Sequence, residues 1–137
     1  MFLGEYIHKL DSKNRIMIPS DFRGDLKGDF YLTKGPEKSL LVYTEEEFQK
    51  RSAALDQLVY ENKKNRAIKR LFFSSTVKVN LDKQGRILIN KSLKDYANIS
   101  DEAMIIGNNT IIEIWDKQIW DEYINEVEVN LSDIMDE

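Results

Sequence analysis

Two hydrophobic periods take turns along this chain. Val77, Val79 and Leu81 interleave with Lys78, Asn80 and Asp82, and Ile87 and Ile89 resume the alternation after a turn. Period two of this kind predicts half-buried strands. The same layout stands earlier, where Ile16 and Ile18 follow the turn at residues 11–15. Short helices are predicted over 20–26 and 92–97. A hairpin is predicted after each, with turn signals at Lys34-Gly35-Pro36 and Gly107-Asn108-Asn109. The period then changes to 3.6. Thr44-Glu45-Glu46-Glu47 reads as a capping box, in which the threonine hydroxyl accepts an orphan N–H and Glu47 reaches back. Asp116 is placed to cap a second helix. Its Ile119, Trp120, Tyr123, Ile124 and Val127 form an apolar stripe, most simply read as core. Between the halves lie about 20 residues of polar, helical sequence. There Ala67, Ile68, Leu71 and Phe72 share one face.

These elements fall into two copies of one unit. Leu10-Asp11-Ser12-Lys13-Asn14-Arg15-Ile16-Met17-Ile18 matches Leu81-Asp82-Lys83-Gln84-Gly85-Arg86-Ile87-Leu88-Ile89 at five of nine positions, 71 residues apart. Met17 and Leu88 conserve volume, and Asn14 and Gly85 both tolerate positive φ. Leu40-Leu41-Val42-Tyr43-Thr44 aligns with Ile112-Glu113-Ile114-Trp115-Asp116, which sets Phe48 opposite Trp120. Each half reads as strand, turn, strand, short helix, two strands and a helix. A unit of this size buries too little apolar surface alone, so the halves are expected to pack as a pseudo-two-fold pair.

Charge sharpens the picture. The 137 residues carry a net −4, which argues against a polyanion partner until its distribution is read. Residues 113–137 hold nine acids and one base, leaving four net positive charges on residues 1–112. That asymmetry points toward a polyanion, or equally toward an acidic end that only solubilises the chain. There is no cysteine, which excludes disulfides and thiolate metal sites. The N-terminus has no basic, apolar leader, and no apolar run reaches 18 residues, so a cytoplasmic, membrane-free protein is expected. His8 is the only histidine, and neither a P-loop nor a Gly-x-Gly-x-x-Gly motif is present. No enzyme activity, metal or cofactor is expected.

The chemistry concentrates in the doubled Asp-x-x-x-Arg turn. Asp11 and Asp82 can accept backbone N–H groups two residues on, and Asn14 or Gly85 supplies a left-handed step. Arg15 and Arg86 then open the next strand on a rigid mount. A guanidinium fork suits phosphate oxygens or the O6/N7 edge of guanine. Lys13 and Lys83 add point charge. The plain alternative is a hairpin whose arginine pairs with its own aspartate. A second basic patch, Lys63, Lys64, Arg66, Lys69 and Arg70, offers secondary phosphate contacts or simply the solvated face of a helix.

With these residues the chain resembles the MraZ family, whose members carry two SpoVT-AbrB-type units. The resemblance rests on residues 10–19, Phe22-Arg23 and Lys69-Arg70-Leu71-Phe72 in the first half. In the second it rests on residues 81–89, Ile105-Ile106-Gly107, Glu113-Ile114-Trp115-Asp116 and Trp120. It implies a mainly β fold with flanking helices (α+β), a double swapped-hairpin AbrB-like barrel formed by two internal repeats. The corresponding division is 5–47 and 76–119 for the repeats, 48–75 for a basic helical linker, and 120–137 for a helix and an acidic, frayed tail. It further implies a ring-shaped homo-oligomer, nucleoid-associated, that binds double-stranded promoter repeats upstream of the division and cell-wall gene cluster and regulates transcription. Carried over by position, the DNA-facing residues are Lys13, Asn14, Arg15, Lys83, Gln84 and Arg86, with Asp11, Asp82 and Gly85 shaping the turns. Asn14 stands where the family usually has glycine. Asn90 stands where it usually has proline, and is expected to loosen the exit of the second turn. A rival reading is an antitoxin-like or scaffold module whose acidic end docks a protein.

Overall fold

A computed structural model describes residues 1–136. Each half has the expected order. The first runs β1 (Glu5–Lys9), β2 (Arg15–Met17), α1 (Ser20–Arg23), β3 (Phe30–Lys34), β4 (Leu40–Tyr43) and α2 (Glu45–Asp56). A helix absent from the second half, α3 (Lys63–Ser75), joins the two. The second half runs β5 (Val77–Val79), β6 (Arg86–Leu88), α4 (Lys91–Ala97), β7 (Glu102–Asn108), β8 (Ile111–Asp116) and α5 (Lys117–Val129). The acidic end, expected to fray, continues as α6 (Leu131–Met135). Glu137 lies outside the described residues.

The halves interleave strand by strand. A six-stranded sheet has the order β1-β7-β8-β4-β3-β5, and β2 pairs with β6 in a separate ribbon. Among the described residues, only the hairpins β3/β4 and β7/β8 pair within a half. The pairs β1/β7, β3/β5, β4/β8 and β2/β6 all cross between halves. Exchanging the halves maps this pairing list onto itself, which is a pseudo-two-fold. The sheet is open, with β1 and β5 at its edges, so the hydrogen-bonded ladder does not close into a barrel among the described residues. The mixed, sheet-rich class with flanking helices stands.

Alternation along the strands assigns the two faces. Leu32, Leu40, Val42, Ile105, Ile112 and Ile114 meet Ile16 and Ile87 of the ribbon, and Ile18 and Ile89 just past it, in the main core. The intervening Tyr31, Leu41 and Tyr43 pack under α2 and α3 with Phe48, Leu55 and Phe72. Met104, Ile106 and Trp115 pack under α5 with Ile119, Trp120 and Ile124. The protein is therefore layered as ribbon, sheet and helices. With both faces covered, β8 is apolar at Ile111, Ile112, Ile114 and Trp115 rather than only at every second residue. Phe48 and Trp120 hold equivalent places: Phe48 stacks on Tyr31 at 3.9 Å, and Trp120 meets Trp115 edge-on at 5.2 Å.

Helix starts follow the sequence signals in part. Thr44 accepts from the Glu47 amide and Asp116 from the Ile119 amide. The reciprocal arm of the capping box is absent, because the Glu47 carboxylate pairs with Lys50 instead. Asn90 does not loosen its turn. Its side chain accepts from the Leu93 amide at 2.9 Å and caps α4, a bond no proline could make. On α3, Phe72 is buried while Ile68 and Leu71 remain 41% and 53% exposed. No helix among the described residues is long and apolar enough to cross a membrane.

Candidate nucleic-acid interface

Both Asp-x-x-x-Arg turns fold the same way, because each aspartate makes the same bonds. Asp11 Oδ1 accepts the amides of Lys13 at 2.8 Å and Arg15 at 2.9 Å. Asp82 Oδ1 accepts those of Gln84 and Arg86, both at 2.9 Å. Asn14 and Gly85 take φ of 61° and 79°, the left-handed step that each turn requires. Two backbone bonds then tie each turn to the other half: the Ile18 amide donates to Gly85 O and the Ile89 amide to Asn14 O, both at 2.9 Å.

These bonds hold both carboxylates in the charged form. The Asp11 carboxyl lies below its ordinary pKa chiefly through the Arg15 amide. The Lys13 amide and the charges of Arg86 and Arg15 add to this against partial desolvation. Asp82 is lowered in the same direction, first by the Arg86 amide.

In the ribbon Arg15 lies opposite Leu88, Ile16 opposite Ile87 and Met17 opposite Arg86. Ile16 and Ile87 point into the core, so period two sends Arg15, Met17, Arg86 and Leu88 to the outer face. Two arginines thus sit diagonally on one outward surface. Their side chains differ sharply. Arg86 donates from Nε to Asp82 Oδ2 at 2.9 Å, from Nη1 to Asp11 Oδ2 at 3.2 Å and from Nη2 to Gln84 Oε1 at 2.5 Å. Arg15 makes no side-chain hydrogen bond or ion pair among the described residues. Lys13 and Lys83 are exposed.

Two further bases brace the turns across the pseudo-two-fold, and the sequence reading did not single them out as site residues. Arg23 of the first half lies over the second turn, donating from Nε to Ile18 O at 2.8 Å. A Cβ at Gly85 would sit 2.5 Å from its guanidinium carbon. Lys94 of the second half donates from Nζ to Asn14 Oδ1 at 3.1 Å. Arg23 and Lys94 are 71 residues apart, the spacing of the repeat itself, so extending the alignment past the isoleucines finds them. His8, half-buried on β1, has its pKa lowered by desolvation and by the charge of Arg23.

The linker bases do not join this cluster. Arg66 donates to Tyr60 O and Glu61 O, and Lys69 lies 5.7 Å from the Tyr60 ring. Lys63, Lys64 and Arg70 are exposed. No hydrogen bond or ion pair among the described residues links any of the five to the turns.

The doubling seen in the strands recurs when the chain is compared with known proteins. The family described as "MraZ protein, putative antitoxin-like" matches twice, over residues 1–71 and 72–137. The chain belongs to the MraZ family. A relative named transcriptional regulator MraZ, from Finegoldia magna, is 43% identical over 136 residues, spanning 99% of this chain and 95% of its own length. The two family matches meet at residues 71 and 72, inside α3. The swapped pairing around the pseudo-two-fold is thus a property of two MraZ units within one chain.

Proposed function

We propose that this MraZ-family chain is a sequence-specific DNA-binding regulator of transcription, and that its first turn reads the DNA. One observation carries the reading: Arg15 leaves a backbone clamped by Asp11 with its guanidinium uncommitted, beside exposed Lys13. A planar cation on a fixed mount matches the major-groove edge of guanine, while Lys13 and Asn14 meet neighbouring groups. Exposed Lys83 and Gln84 of the second turn add contacts to the DNA backbone, and Lys63, Lys64 and Arg70 serve phosphates further out. The kinship with a named transcriptional regulator supports this reading.

The finer assignments follow the family resemblance. The duplex partner is a set of promoter repeats upstream of the division and cell-wall gene cluster, met by a ring of identical chains in the nucleoid. Exposed Ile68 and Leu71, one turn apart on α3, support contact between copies, since single chains rarely leave a contiguous apolar patch to water. A ring with one reading turn per chain gains avidity from repeated boxes through effective concentration. The interleaved halves support the double swapped-hairpin description, with the barrel completed by packing of the ribbon over the sheet.

The test is a mobility-shift titration with DNA from upstream of the chain's own gene against scrambled competitor. Arg15→Ala is expected to lose about 1–3 kcal/mol of specific binding, and affinity should fall steeply with salt. Unchanged affinity in the variant, or a flat salt response, rejects the assignment. Stoichiometric copurification of one protein without any DNA shift would favour the antitoxin-like reading instead.

A further inference from the structure

The two arginines share one pair of carboxylates. Each aspartate spends Oδ1 on its own turn, on the amides of Lys13 and Arg15 or of Gln84 and Arg86. Both remaining Oδ2 atoms face the same guanidinium, that of Arg86. Gln84 supplies a third acceptor. The Arg86 side chain is left only 24% exposed. Arg15 cannot build the mirror-image cage. Its two carboxylate acceptors are already engaged, and the position equivalent to Gln84 is Lys13, which has donors only. The difference between Lys13 and Gln84 thus decides which arginine is held and which is free.

We propose that Arg86 is a positioning residue for the first turn and does not itself contact DNA. Its grip on Asp11 Oδ2 fixes the carboxylate so that Oδ1 stays in line with the Lys13 and Arg15 amides, and the second turn acts as a buttress. The inference rests on the reading of Arg15 given above. It gives each chain one reading turn and one supporting turn, although the sequence carries the motif twice. Asp11 lies at the centre of this division, taking backbone donors on one oxygen and a guanidinium from the other half on the other. Preorganisation of this kind raises affinity by removing the cost of ordering the turn during binding.

The experiment uses the full chain, with Arg86→Gln, Arg86→Lys, Arg15→Ala and the double variant Arg15→Ala/Arg86→Gln. Thermal melts establish that each is folded. Without DNA, Arg86→Gln should shift the Lys13 and Arg15 amide resonances and raise the titration midpoint of the Asp11 carboxyl. Unmoved signals overturn the buttress whatever the DNA result. With a duplex from upstream of the chain's own gene, Arg86→Gln should weaken binding roughly tenfold, within the coupling seen inside one hydrogen-bond network. The salt dependence should keep its slope, because no phosphate contact is lost; a slope smaller by about one marks Arg86 as a phosphate contact and overturns the proposal. Arg86→Lys should not rescue, since one ammonium cannot span two carboxylates as a planar fork does; recovery of wild-type binding overturns the proposal. In the Arg15→Ala background Arg86→Gln should add less than about a twofold loss, and a full additive loss shows that Arg86 acts by itself. If Arg15→Ala alone binds as the unaltered chain does, the reading-turn assignment falls and takes the role of Arg86 with it. If only the Arg86 variants bind normally, the assignment of Arg15 survives and the buttress does not.

Discussion

Replacing Gly85 by alanine strikes the second turn in two ways that can be separated. The first is backbone strain. Gly85 has φ of 79°, and an L side chain in the left-handed region costs about 1–2 kcal/mol. The second is a collision. The added Cβ would lie 2.5 Å from Cζ and Nε of Arg23. The end of an arginine usually swings aside cheaply, but this one is tethered, with Nε on Ile18 O at 2.8 Å and Nη2 on Met17 Sδ at 2.9 Å. Breaking a charged donor away from a half-buried carbonyl costs about 1.5–3 kcal/mol, less what water returns. Together the effects amount to about 2–4 kcal/mol. In a domain of this size that lowers Tm by roughly 6–16 °C. Calorimetry or circular-dichroism melts, with urea unfolding beside them, measure it. Gly28→Ala is the control, because Gly28 has φ of 69° with nothing within 4 Å of a Cβ, so only the backbone term applies. In an Arg23→Ala background the cost of Gly85→Ala should fall to the Gly28 level. The reasoning is refuted if Gly85→Ala costs no more than Gly28→Ala, or if removing Arg23 leaves its cost unchanged.

Other expectations follow from the same geometry. Ile18→Val and Ile89→Val should each cost about 0.5–1.5 kcal/mol, and nearly the same amount, because both side chains are fully buried at equivalent places just past β2 and β6; urea midpoints check the pair. Asn90→Ala should cost about 0.5–2 kcal/mol through the lost cap on α4, and Asn90→Pro should not restore it; thermal melts decide. The pKa values of Asp11 and Asp82 are depressed in the folded state, so their contribution is complete above the unfolded value and is lost as pH falls through the folded one. The urea midpoint should therefore drop below about pH 4, and drop less in Asp11→Asn/Asp82→Asn.

Most of the local structure was legible in the chain. The strand periods, the order of elements in each half, the caps at Thr44 and Asp116 and the left-handed steps at Asn14 and Gly85 are properties of neighbouring residues. A turn or a helix start is decided within a few positions, so the string contains it. The 71-residue offset also carried the pseudo-two-fold and, followed further, leads to Arg23 and Lys94. Reading Asn90 as a weakness failed because its worth depends on the Leu93 amide arriving within reach, which only the start of α4 decides. The apolar face of α3 was visible as well, but only the packed sheet shows that Phe72 is covered while Ile68 and Leu71 are not.

What the residue pattern could not express is the crossing of the halves, which entered the sequence reading only as an implication of the family resemblance. It sets each strand's period but not its partner, and four of the six strand pairings among the described residues join opposite halves. The difference between the two arginines comes from the same source. Both turns contain the same Asp-x-x-x-Arg pattern, so on paper Arg15 and Arg86 are equals. Tertiary structure brings Asp11 within 3.2 Å of Arg86 across 75 residues of chain, and Gln84 completes the cage where Lys13 cannot. A carboxylate oxygen committed to one guanidinium is lost to the other, and that competition exists only after the two halves have come together.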